Sequence, residues 1–189
     1  RINGLGKLAC VTTNIEEAVR DAEIIMITTI ANAHKAVAQS IAPYVMDGQV
    51  IILNPGRTCG ALVFKQALVE AGCDARFYLA EAQTLVYACR IVEIGTVNII
   101  GVKDEVLLSA LPSTDTNYVL SKINPLFPSF MKTTNVLRTS LENIVAIFHP
   151  CVLLFNAATI ERNEVVWFYR DMTEQIALFI ERFDEERLA

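Results

Sequence analysis

"EIIMITTIANAHKAVAQSIAPYVMDGQVIILNPG" (residues 23–56) sets a helical stretch between two apolar runs. The first run, residues 23–30, is continuous and rich in β-branched side chains, as in a strand covered on both faces. Residues 32–45 read as a helix, and "QVIILN" (49–54) as a second buried strand. "PGRTCG" (55–60) is a loop by its Pro and Gly content.

The alternation extends on both sides. "LACVT" (8–12) is a short apolar run, and "NIEEAVRDA" (14–22) follows as a helix that Asn14 or Thr13 can cap, with acids in its first turn. "ALVFKQALVEAG" (61–72) is helical and stops at Gly72. "ARFYLAEA" (75–82) and "TVNIIGV" (96–102) read as further strands. Short strands alternating with longer helices predict a parallel α/β sheet. Ligands in such sheets bind outside the carboxyl ends of the strands, so the loops to watch are 28–34, 54–60 and 81–90. After Lys103 the composition changes: residues 104–130 hold three of the six prolines and show no buried strand. A domain boundary is expected between about 104 and 118, and the remainder reads as helical. The fold class is thus α/β plus all-α, with domains at 1–110 and 111–189.

Hydrophobic residues make up 53% of the 189, ample for a core, and the net charge is −5 with scattered basic residues. No electrostatic footprint for nucleic acid results. The apolar stretches are interrupted before the ~20 residues of a membrane span, so the chain reads as soluble. Five cysteines, with no C-x-x-C pair, suggest reduced thiols in the cytoplasm and no metal site.

Within the loops, Gly56 and Gly60 allow tight turns or close backbone approach, and Arg57 offers a planar fork for a carboxylate or phosphate. An ordinary turn with a solvated arginine fits the pattern equally well. Glu81, Gln83, Thr84, Cys89 and Arg90 crowd into ten residues that also fit an irregular strand. His34 stands near a helix start, where capping or packing explains it. His149, in "NIVAIFHPC" (143–151), is different. If 140–157 is one helix, Glu142, His149 and Asn156 share a stripe, and Pro150 kinks the helix beside the ring. Pattern alone favours a buried histidine bonded to a carbonyl.

Three ordered segments, "ILNPGRTCGALVF" (52–64), "TLVYACRIVEIGTVNIIGVK" (84–103) and "NVLRTSLENIVAIFHPCVLLFNAATIE" (135–161), resemble the octopine/nopaline (opine) dehydrogenase family. Residues 168–189 look like the next stretch of its second domain. The resemblance implies the latter part of a Rossmann-like domain followed by a helical one. It implies NAD(P)H-dependent condensation of an amino acid with a 2-oxo acid and reduction of the imine. His149 matches the family's catalytic histidine, a group that titrates near neutrality and can handle the proton. Thr84 and Cys89 match positions near the amino acid, and Arg57 stands where another member contacts substrate. Thr29, Ile30 and Ala31, with Asn54, Pro55 and Gly56, match segments on the nicotinamide side of an NAD or NADP cleft. The implied partners are these small molecules, without nucleic acid or membrane; a homodimer is compatible with the resemblance.

The fingerprint G-x-G-x-x-G is absent, and "RINGLGKL" (1–8) is no substitute. The resemblance therefore places the first β-α-β portion before Arg1, and the acid that orients the histidine beyond Ala189. Two alternatives remain: an inactive truncated paralogue serving as an interaction module, and a ketopantoate reductase-like dehydrogenase. The latter would use a helical lysine where this chain offers His149.

Overall fold

The structure, a computed structural model, describes residues 4–188; residues 1–3 of the opening stretch and Ala189 lie outside the described residues. The chain divides into two compact units between Glu142 and Asn143. In the first, Ile24–Ile27 (β1) pairs in parallel with Val50–Leu53 (β2), which pairs in parallel with Tyr78–Ala82 (β3). Before β1, Ile15–Val19 (α1) is capped by the Asn14 side chain, which accepts from the N–H groups of Glu16 and Glu17. The crossovers run through His34–Ile41 (α2) and Gly60–Glu70 (α3).

Successive strand residues point to opposite faces, and β2 is buried at every position. Ile51 and Leu53 pack with Ala38, Ile41, Phe64 and Leu68 from α2 and α3. Val50 and Ile52 belong to the core on the other face. That double coverage is why the run 49–54 is apolar without alternation.

Several expectations need correction. Tyr87–Glu93 (β4) and Thr96–Val102 (β5) form a separate antiparallel hairpin, exposed throughout. The run 96–102 is a strand, but it stays outside the main sheet. The sheet continues instead through Val106–Ala110 (β6), antiparallel to β3, and Phe130–Lys132 (β7), parallel to β6. Val106, Leu108, Ser109 and Ala110 are buried, so the segment after Lys103 does contain a buried strand. Between β6 and β7, Thr116–Ile123 (α4) lays Val119 and Ile123 on the sheet. The boundary expected between 104 and 118, and the division at 110/111, are therefore displaced to 142/143, because β6 and β7 complete the same sheet. The run "LACVT" joins no strand, and Leu8 and Val11 are exposed.

The proposed single helix over 140–157 is likewise two. Val136–Leu141 (α5) ends the first unit and Val145–Phe155 (α6) opens the second. Between them the Asn143 side chain accepts from the Val145 N–H (3.3 Å). Glu142 therefore does not share a helical stripe with His149. Residues 136–155 are apolar enough on average to cross a membrane. The backbone break leaves α6 with 11 residues, about half of what a span requires. In the second unit, α6 packs Ile147, Cys151 and Val152 against Ile176 and Ile180 of Glu174–Leu188 (α8), with Ala157–Glu161 (α7) between them in sequence. Pro150 lies inside α6, and the helix continues through it.

Candidate active site

Parallel pairing brings the carboxyl ends of β1, β2 and β3 to one edge of the first unit, so the loops 28–33, 54–60 and 83–86 open there together. The middle loop is the most constrained. The Asn54 N–H continues the ladder to the Ile27 carbonyl (2.9 Å), and the Gly56 N–H donates to the Ala82 carbonyl (3.0 Å). A Cβ on Gly56 would lie 2.5 Å from the Glu81 Cβ and 2.6 Å from its Oε2, so only glycine fits. Arg57 and Cys59 then adopt left-handed φ values of 61° and 58°, uncommon for residues with a Cβ.

Glu81 anchors this loop. It is fully buried, and its carboxyl group is bonded to the Ala61 N–H (2.8 Å), the Thr139 hydroxyl (2.5 Å) and the Ser140 hydroxyl (2.8 Å). Ser140 Oγ also accepts from the Cys59 N–H (2.9 Å). Burial pushes the carboxyl pKa up, against the opposing pull of those three hydrogen bonds. One side chain thus ties β3 to the start of α3 and to α5. Sequence reasoning passed over this role. The available signal was an acid at an otherwise apolar position of "YLAEA" in a strand covered on both faces.

The first loop exposes Thr29, Ile30 and Ala31. Beneath it His34 is buried, its ring bonded to the Thr29 backbone and set edge-on to Phe64 (6.3 Å). Burial holds the imidazole below its ordinary pKa; the Thr29 bond opposes this, and Arg57 adds to it. A Cβ on Gly60 would stand 3.4 Å from His34 Nδ1, so the ring also packs against the end of the second loop. Asn54, Pro55 and Gly56 are buried, and Asn54 Oδ1 has no partner among the described residues.

In the third loop Thr84 Oγ1 accepts from Lys103 Nζ (2.6 Å), and the Lys103 N–H donates to the Val86 carbonyl (2.9 Å). Partial desolvation, and then the nearby Arg57, hold the Lys103 ammonium below its ordinary pKa. Gln83 Nε2 donates to the Glu142 carbonyl (3.0 Å). Lys103, which sequence reasoning missed, is thus bonded to Thr84, and Arg57 follows Gly56, whose N–H is tied to Ala82 two residues before Thr84. Cys89 is not held in this group: it lies on the exposed hairpin as a free thiol. Two clefts, of about 560 and 290 Å³, lie elsewhere, one along the outer side of α3 and the other at the amino ends of β1 and β2.

In the second unit His149 is exposed on α6, against the reading of a buried core histidine. Its ring stacks edge-on against Phe168 (4.8 Å) and lies 5.9 Å from Phe148. Apolar contacts at residues 147, 151 and 152 fix α6 to α8, leaving position 149 outside that core.

Residues 132–189 match the family model described as NAD/NADP octopine/nopaline dehydrogenase, alpha-helical domain. An opine dehydrogenase from Arthrobacter sp. (strain 1C) is 35% identical over 179 residues, covering 94% of this chain and 50% of that protein. An octopine dehydrogenase solved with NADH and L-arginine superposes with TM-score 0.70 at 25% identity, over 90% of this chain and 44% of that one. A ketopantoate reductase from Ralstonia eutropha JMP134 shares the fold at TM-score 0.57 and 11% identity. The chain spans about half the length of the curated relatives it matches.

Proposed function

We propose that the chain belongs to the octopine/nopaline (opine) dehydrogenase family, which its similarities support, and that the protein is an NAD(P)-dependent opine dehydrogenase. It condenses the amino group of an amino acid with the carbonyl of a 2-oxo acid, releasing water. The resulting imine is reduced to a secondary-amine dicarboxylate. Residues up to Glu142 serve the dinucleotide and those from Asn143 the substrate domain. The observation that carries this reading is that the loops bearing Thr29, Arg57 and Thr84 open together at the carboxyl edge of parallel strands. Ligands of α/β sheets bind at that edge.

The residues present fit the nicotinamide side of the cofactor. Asn54 Oδ1 is an acceptor without a protein partner, and Thr29, Ile30 and Ala31 offer an exposed rim above the buried Pro55 and Gly56. The cofactor, when bound, supplies the hydride. The chain's own residues do the rest. Arg57 holds a carboxylate through its planar fork and so fixes which face of the imine carbon is offered. The family resemblance puts Thr84 near the amino acid, close to where the two substrates join, and Cys89 near it from the exposed hairpin. His149 gives up a proton as the carbonyl oxygen leaves as water, and protonation of the imine nitrogen makes its carbon electrophilic. The free thiols suit a reducing cytoplasm, and a homodimer is open to sedimentation analysis.

The test is oxidation of NADH or NADPH in the presence of pyruvate and a panel of amino acids, followed by nicotinamide absorbance. Amino-acid-dependent oxidation is expected, with His149→Ala lowering kcat by about 10²–10⁴. Oxidation that no amino acid stimulates, or that His149→Ala leaves intact, would sink the proposal.

A further inference from the structure

Lys103 reaches the carboxyl-edge site from the end of the β4–β5 hairpin. Its backbone N–H is pinned to the Val86 carbonyl (2.9 Å), and its Nζ folds back to donate to Thr84 Oγ1 (2.6 Å). Arg57 arrives at the same place from the other side, because the Gly56 N–H is bonded to the Ala82 carbonyl (3.0 Å), two residues before Thr84. Among the described residues neither Arg57 nor Lys103 takes part in an ion pair. Glu81 lies beneath the buried Gly56 and is engaged with Ala61, Thr139 and Ser140.

Two cations held together without a counter-ion repel one another, and an anion set between them recovers that energy on binding. Thr84 Oγ1 accepts from Lys103, which leaves its own proton to donate. The local donors are thus a guanidinium fork, an ammonium with two further N–H groups, and a hydroxyl. No carboxylate among the described residues answers them.

We propose that Lys103, with Arg57 and Thr84, forms the subsite that holds the carboxylate of the 2-oxo acid, Lys103 supplying its second positive charge. The assignment to a 2-oxo acid rests on the dehydrogenase reading above. A planar carboxylate can accept from the arginine fork and still share an oxygen with the ammonium. A phosphate shares this charge chemistry, so the two anions are compared directly.

The experiment is calorimetric titration of the full chain with pyruvate, and separately with inorganic phosphate, for the parent and for Lys103→Gln, Arg57→Gln and Lys65→Gln. Pyruvate binding is expected to weaken about tenfold in Lys103→Gln and in Arg57→Gln, the scale of one lost charge-assisted hydrogen bond. Lys65→Gln removes the same charge from an exposed position of α3 and should leave the affinity unchanged. In the coupled assay, Lys103→Gln should raise KM for pyruvate more than it lowers kcat, and should narrow the preference for pyruvate over the uncharged pyruvamide. The proposal is overturned by absent pyruvate binding in the parent, by unchanged affinity in Lys103→Gln, or by an equal loss in Lys65→Gln. It is overturned as well if phosphate binds more tightly than pyruvate with the same dependence on Lys103. Lys103-dependent pyruvate binding without amino-acid-dependent oxidation would keep the subsite and remove the dehydrogenase reading. Oxidation that Lys103→Gln leaves unchanged would do the reverse.

Discussion

Glu81 carries a buried carboxyl group against three donors, and burial outweighs their pull to raise its pKa. Thr139 has one hydroxyl proton but stands within bonding distance of both Glu81 Oε1 (2.5 Å) and the Val136 carbonyl (2.9 Å). Both contacts are satisfied together if Glu81 is protonated and donates to Thr139, which then donates to Val136. A carboxyl group whose folded pKa is raised contributes stability that is complete below its unfolded value, about 4.3. That contribution is lost as pH rises through the folded pKa. Stability should therefore fall with increasing pH across that interval in the parent chain. Glu81→Gln does not titrate, and its Nε2 can donate to Thr139 while its oxygen accepts from the Ala61 N–H; it should flatten the slope, as read by urea denaturation at a series of pH values. A slope unchanged by the substitution would show that Glu81 is ionised in the same way folded and unfolded. The carboxyl group was visible in the sequence as an acid in an apolar strand, but its three donors come from residues 61, 139 and 140, and only folding brings them to it.

Strands with the same amino-acid character end up in opposite surroundings. β2 and β5 are both rich in β-branched residues, which suit a pleated backbone wherever it lies. β2 is buried at every residue, whereas β5 and its partner β4 are exposed at every residue. Propensity signals extended chain and says nothing of which neighbour it pairs with. The consequence is a contrast in stability. Ile52→Ala, in the fully covered strand, should cost about 2–5 kcal/mol. Ile94→Lys, at the fully exposed hairpin turn, should stay within about 0.5 kcal/mol of the parent. Paired thermal melts of the two variants check this, and an equal loss from both would mean that the hairpin is covered in solution. α5 and α6 show the complementary case. Their apolar sequence reads as one helix, but Asn143 accepts from the Val145 N–H and starts a new helix, as asparagine does at caps.

On the scale of the whole chain, the first unit has helices on both faces of a five-stranded sheet. The second rests on five buried residues shared by α6 and α8. A segment as short as residues 143–188 buries a small fraction of its surface, so its amides should open more readily than those of β2 and β3. Hydrogen exchange followed by mass spectrometry should show α6 and α8 exchanging well before β2 and β3, and equal protection would contradict the difference in core size. The sequence alone determined the parallel β-α-β units, the carboxyl-edge loops and the helical character of the end of the chain, because periodicity and capping are local. Three ordered motifs also carried the family resemblance. Tertiary structure alone decided that β6 and β7 extend the sheet to 142, that β4 and β5 leave it, and that Lys103 joins Arg57 and Thr84. Strand pairing and the convergence of charges depend on residues distant in the chain, and no local pattern records which of them will meet.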